Sequence, residues 1–233
     1  MIAPAFKRSV LRTSRPVRRK RRSRVRRAFL VVLAALGAAS AAKAEERAAR
    51  TTEHYLQYGV AFAAEAVPWP GSICPDNAPA PCILKSGVGL AVRIGYRTRG
   101  PFYLGGAYEF SRQESSNLLR LAILQQLRGE ARYYLREDTR LAPYLAAGAG
   151  GALYGNEWGF DTGGIVAFFG GGFEFQVSGT TVVGATLGYR PVVFRRWRDS
   201  AGQVRADDLF GFGMAHLIAG ELTFEVRNPL SRW

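Results

Sequence analysis

Between about residues 52 and 227 the chain reads as eight strand-like segments whose connections are alternately short and long. The short ones fall at 98–100, 136–140 and 178–179, and the long ones at 66–85, 112–117, 155–163 and 195–212. An even number of strands joined this way has all its tight turns at one end and all its loops at the other. That is the plan of a barrel crossing an outer membrane, with turns toward the periplasm and loops outward.

Side chains alternate faces along a strand, so each segment can be sorted into two faces. In the second segment Val88, Leu90, Val92, Ile94 and Tyr96 oppose Gly89, Ala91, Arg93, Gly95 and Arg97. In the third, Phe102, Leu104, Tyr108 and Phe110 oppose Tyr103, Gly105, Ala107, Glu109 and Ser111. The first sets Leu56, Tyr58, Val60 and Phe62 against Glu53, Gln57, Gly59 and Ala61. The fourth sets Leu119, Leu121, Ile123, Leu127, Ala131 and Tyr133 against Arg120, Gln126, Arg128, Glu130 and Arg132. The sixth, seventh and eighth place Glu174, Arg190, Glu221 and Glu225 on the small-residue face and Phe169, Phe173, Leu187, Leu222 and Phe224 on the other. Only the fifth, 141–154, is so rich in Ala and Gly that its phase stays open.

A soluble barrel uses the same period with its faces exchanged, apolar inside and charged outside. Three features select the membrane form. The runs are long for globular strands, which average about 5–6 residues. The polar face is mostly Gly, Ala and isolated charges, which suits a cramped eight-stranded interior better than a solvated surface. The apolar face holds most aromatics, and Tyr96, Phe102, Tyr133, Phe175 and Tyr189 are expected in a girdle at the short-turn end. The expected fold is all-β, an eight-stranded antiparallel up-and-down transmembrane β-barrel.

The run LRGEARYYL at 127–135, a charged turn and APYLAAGAG at 142–150 resemble the central hairpin of small outer-membrane barrels of the OmpA/OmpW-like superfamily. FGGGFEF at 169–175, the turn 178–180 and TLGY at 186–189 resemble the next hairpin. The resemblance covers most of residues 52–227 and implies the fold rather than a task. Where that family closes its last strand on an aromatic, this chain has Phe224 and Val226 and then a tail to Trp233.

The pI near 10.4 would suggest a nucleic-acid partner, but the charge is localised. Twelve of the 32 Lys and Arg lie in residues 1–27 without an acid, whereas from Glu45 onward 19 basic residues face 18 acidic ones. The basic block 18–27 runs directly into the apolar FLVVLAAL at 29–36 and then AKA at 42–44. A positive n-region, an apolar core and an A-x-A site make a secretory signal peptide over residues 1–44, cleaved after Ala44. Residues 45–233 are then the outer-membrane barrel domain. A retained helix would need ~20 apolar residues, and a twin-arginine route through Arg26 and Arg27 carries folded cargo, which suits a barrel poorly. The long n-region suggests a translation start nearer Val25.

Cys74 and Cys82, the only two cysteines, both fall in the first long loop. In an exported chain an even local pair reads as a disulfide.

The polar face collects Glu109, Glu130, Glu174, Glu221, Arg93, Arg128, Arg132 and Arg190, together with Glu53, Glu225 and Arg97. Charges withdrawn from water need partners, so these are expected to form a lumen charge network. The fourth long loop opens with Arg195, Arg196, Trp197 and Arg198, a basic aromatic cluster that reads either as a solvated loop of mixed charge or as a site for lipopolysaccharide phosphates or an anionic polymer. Arg205, further along, is expected to be an exposed and dispensable loop arginine. A lipid-modifying enzyme would need a nucleophile, a histidine and an acid at the outer leaflet. His54 falls at the opposite end, and His216 lacks a serine at His-x-Ser spacing and reads as interfacial.

The expected role is therefore non-enzymatic and without a cofactor or metal, contributing to envelope structure or binding through the outer loops. The first alternative is a narrow channel for small or apolar solutes, and the second a lipid-modifying enzyme. Expected partners are outer-membrane lipid, lipopolysaccharide and, during biogenesis, the barrel-assembly machinery; nucleic acid is not among them. A monomer is expected.

Overall fold

A computed structural model describes residues 54–230 apart from 75–80, 137–139, 158, 200, 201, 203 and 207–210. The signal segment, its cleavage site and Glu53 lie outside the described residues. The elements are β1 (Tyr55–Trp69), a 3-10 turn (Gly71–Ile73), β2 (Gly87–Arg97), β3 (Phe102–Gln113), β4 (Ala122–Tyr134) and β5 (Leu141–Asn156). They continue with β6 (Thr162–Gln176), β7 (Thr181–Arg195), β8 (Trp197–Arg198), β9 (Val204–Arg205) and β10 (Phe212–Pro229).

Eight of these close into an antiparallel barrel in the order β1-β10-β7-β6-β5-β4-β3-β2, so every neighbour in the wall is also a neighbour in the chain apart from the β1–β10 seam. Closure leaves no strand edge with unpaired main-chain groups, a condition that lipid imposes on any spanning sheet. The seam runs in continuous register from Tyr55↔Pro229 to Ala66↔Ile218.

The expected faces appear in the burial along the seven strands whose phase was read, except at the start of β4, where Ile123 is buried. Leu90, Leu187 and Leu222 point outward and are 66%, 65% and 62% exposed, while their chain neighbours Ala91, Gly188 and Glu221 point in and are buried. Apolar side chains outside and charged ones inside invert the soluble arrangement, so the surrounding medium is apolar. The open phase of the fifth segment resolves with even residues inward: Ala142, Tyr144, Ala146, Ala152 and Tyr154 are buried, and Leu145 and Leu153 face out.

Three boundaries differ from the sequence reading. β4 starts at Ala122, because Ser116 and Asn117 adopt positive φ (55° and 63°) and the Ser115 hydroxyl accepts from the Leu119 amide, making 114–121 a loop. Leu119, within that loop, is consequently buried in the apolar cluster instead of facing lipid. β1 runs on to Trp69, across an irregularity after Ala66, and pairs there with His216. Tyr189 is not at the short-turn end. It lies on the far side of the middle of β7, paired with Ile218 and Phe169 and stacked on His216 near the outer end of β10. It belongs with Trp69 and His216 to an outer aromatic belt, while Tyr96, Phe102, Tyr133 and Phe175 remain at the inner end.

Candidate functional site

The lumen is filled by side chains the strand parity aims inward. Among the described residues it holds Arg93, Arg97, Arg128, Arg132, Arg190 and Arg227 against Glu65, Glu109, Glu130, Glu174, Glu221 and Glu225, all of them buried. Six positive and six negative groups cancel. This neutrality matters, because an unbalanced charge in so small a volume costs several kcal/mol.

The network has two storeys. In the outer one Arg190 bonds Glu65 at 3.0 Å and Glu109 at 2.9 Å and also pairs with Glu221. Arg128 reaches Glu109 at 2.9 Å, Glu130 at 3.2 Å and Glu221 at 3.3 Å, and Arg93 pairs with Glu221 and, at 3.6 Å, with Glu130. Glu65 is further held by the Ser111 hydroxyl at 2.8 Å and the Gln126 amide at 2.9 Å. In the inner storey Glu174 is the hub: Arg132 at 2.8 Å, Arg97 at 3.3 Å, Arg227, the Gln57 amide at 3.1 Å and the Tyr134 hydroxyl at 2.5 Å all converge on it. Arg132 also holds Glu225 at 3.0 Å and touches the outer storey through Glu130 at 3.9 Å.

Aromatic rings pack between the guanidinium planes. The Arg97 guanidinium lies 3.7 Å from the Tyr134 ring centre, Arg132 lies 4.6 Å from Tyr103, and Phe168 sits between Arg128 and Arg190. Such stacking replaces water against a cation at little desolvation cost. Phe168 fits because Gly188 stands opposite it; any Cβ at 188 would overlap its ring.

Ten of the eleven lumen residues named from the sequence are thus brought into one network, and Glu53 lies outside the described residues. Glu65, Arg227, Gln57, Tyr134 and Phe168 were not assigned to it. Glu65 and Arg227 share the inward parity of Gln57 and Glu225 but stand near segment ends, where a strand and a loop look alike in sequence.

Above the network the lumen turns apolar. Leu124, Tyr154, Val166, Val192, Phe194 and Leu217 line it, and Ile73, Ile83 and Leu84 of the first long loop fill it. Cys74 and Cys82 are joined as a disulfide, with Cα atoms 4.9 Å apart, and close this loop on itself.

The basic loop cluster divides in two. Arg195, Arg196 and Arg198 are exposed, the last donating to the Gly202 carbonyl at 3.0 Å. Trp197 is not on the surface with them. It is buried, edge-on to Phe194 at 5.8 Å, and joins the apolar plug. Arg205 is likewise not an exposed loop arginine: it is fully buried, paired with Asp199 at 2.7 Å. The cause is the small β8–β9 ribbon, in which Trp197 is directly opposite Arg205; facing residues on a ribbon share a side, and this side turns inward.

The histidines are held at the two ends of the wall. His54 pairs through Nδ1 with the Tyr96 hydroxyl, and His216 does the same with Tyr189, its ring stacked 5.8 Å away. His216 thus sits near the outer end of β10 beside Tyr189. Among the described residues, no group of three or more His, Cys, Asp or Glu is arranged to hold a metal ion.

No protein-family profile matches the sequence, and no curated protein matches it. Among solved structures the chain is similar to Neisserial surface protein A (NspA), at 20% identity and a TM-score of 0.44, covering 76% of this chain and 97% of that one. It is similar to the outer membrane protein OprG from Pseudomonas aeruginosa at 12% identity and 0.43, covering 76% and 97%. A third is the N-terminal β-barrel domain of Pseudomonas aeruginosa OprF, at 15% identity and 0.39, covering 74% and 99%.

Proposed function

We propose that this chain is a closed, non-enzymatic barrel of the outer membrane of a Gram-negative cell, acting through its outer surface rather than through its lumen. One observation carries the reading: the interior is occupied by twelve buried charges that neutralise one another, beneath an apolar plug. Each of these guanidinium and carboxylate groups is paired with at least one opposite charge, which leaves little to bind or process a solute. The inverted faces and the two aromatic belts favour the membrane, and closure of an up-and-down sheet favours the outer one.

What the barrel offers outward is positive charge. Arg112, next to last in β3, and Arg195, which ends β7, are exposed on the lipid side, and Arg196 and Arg198 stand in the loops above, while Lys85 is paired with Glu114 at 3.9 Å. Guanidinium groups at this height meet the phosphates of lipopolysaccharide, to which they bind bidentately. The Arg195→Ala, Arg196→Ala, Arg198→Ala triple variant should weaken binding to lipopolysaccharide vesicles severalfold at low salt and leave the urea midpoint unchanged. Equal binding by variant and native barrel would remove lipopolysaccharide phosphate as the ligand of this loop.

A further inference from the structure

We infer that the described ends of the first long loop, 70–74 and 81–86, form a plug seated in an apolar vestibule and that Arg205 of the fourth loop is the latch that keeps them there. Three observations meet at this point. The first is the lining. The outer part of a barrel open to water should be polar, yet Leu124, Tyr154, Val192 and Leu217 face the lumen there, fully buried. Apolar surface of this kind is stable only when something covers it, and what covers it is Ile73, Ile83 and Leu84, themselves at most 1% exposed.

The second observation is that Arg205 spends its fork on this loop. One terminal nitrogen donates to the Ile73 carbonyl at 3.1 Å and the other to the Pro81 carbonyl at 3.1 Å, while Nε donates to Asp199 at 2.8 Å. The two carbonyls stand just outside Cys74 and just before Cys82. The guanidinium therefore grips both sides of the bridged segment at once, and Asp199 balances its charge without leaving loop 4. A rigid planar fork is suited to this and a lysine is not.

The third is the disulfide itself. It ties Cys74 to Cys82, so that Ile73 and Ile83 on its flanks move as one block. Beyond Arg205, the block is held by single hydrogen bonds: Tyr154 Oη donates to the Ile83 carbonyl at 2.5 Å and Ser116 Oγ to the Cys82 carbonyl at 2.9 Å. Gly71, at φ +54°, marks the near end, where Ser72 Oγ accepts from the Met214 amide and fastens the loop base to β10. Loss of the latch then frees a compact plug on a fixed base, and the wall stays closed.

Labelling at the vestibule wall tests this. Val192→Cys places one thiol on the wall at a site now fully buried, in a chain whose own cysteines are bridged. The refolded protein in detergent is treated with a maleimide-polyethylene glycol, with Ser178→Cys in an exposed turn as the reference. The native latch should protect Val192→Cys, and adding Arg205→Ala should speed its modification at least tenfold, with the unboiled gel mobility of a folded barrel retained. Should Arg205→Ala not refold, Asp199→Asn, which removes the carboxylate that orients the fork, serves in its place and should give a smaller acceleration. The inference fails if the folded variant is labelled no faster than the native latch allows. It fails equally if Val192→Cys is labelled as fast as the Ser178→Cys reference while Arg205 is intact.

Discussion

Arg190→Leu will lower the stability of the refolded barrel by about 3–5 kcal/mol, seen as a fall in the urea midpoint in lipid vesicles. Arg190 is fully buried and bonds Glu65, Glu109 and Glu221 together. Its removal leaves Glu109 and Glu221 to Arg128 and Arg93, both already committed, and leaves Glu65 with the neutral groups of Ser111, Gln113 and Gln126. The surplus negative charge, rather than the lost contact area, is the cause. Removing a partner as well should therefore recover stability: Arg190→Leu with Glu109→Gln should unfold at higher urea than Arg190→Leu alone. Without that recovery, the carboxylates are not responding to each other's charge and the network has been assigned wrongly.

The second large effect lies on the opposite face. Leu187→Arg should destabilise the barrel by about 2–4 kcal/mol in a bilayer, the depth-dependent cost of an arginine near the midplane. Leu187 points out from mid-strand in β7 and is 65% exposed, its register partners being Gly220 and Gly171. In a water-soluble barrel a residue so exposed would accept arginine within about ±0.5 kcal/mol. The pair Leu187→Arg and Leu187→Ala, compared in vesicles, separates the two environments. A neutral Leu187→Arg would mean that this face does not meet lipid.

The lumen was legible in sequence because a strand has a period of two and the charges keep to one parity except at the outer strand ends, where Arg112 and Arg195 face out. Arg128, Glu130 and Arg132 at successive inward positions of β4 could be assigned without coordinates, and so could Glu174 and Glu221. Pairing could not. That Glu174 of β6 gathers Arg97 of β2, Arg132 of β4 and Arg227 of β10 depends on barrel closure, which brings strands distant in sequence face to face across the lumen. The fifth strand was opaque for a different reason: Ala and Gly fit either face, and only the partners Tyr144 and Tyr154 acquire inside the barrel reveal its phase.

The loops obeyed no period, and there the reading erred. Trp197 and Arg205 stand in a segment whose composition looks solvated, yet a two-residue ribbon turns both inward. Arg195 and Arg198, on the outward side, behave as their composition suggests. An arginine can be buried when main-chain carbonyls and one carboxylate satisfy it, and carbonyl positions leave no mark in the sequence. The local disulfide was the exception, because pairing of two nearby cysteines in an exported chain requires no knowledge of the rest of the fold.

Planar-bilayer recording on the purified, refolded protein tests the closed lumen most directly. Two storeys of ion pairs under an apolar plug predict a silent bilayer, with no steady current above the bare membrane in either low or molar salt. A stable, salt-dependent conductance from the folded barrel would contradict that account and make the protein a narrow channel.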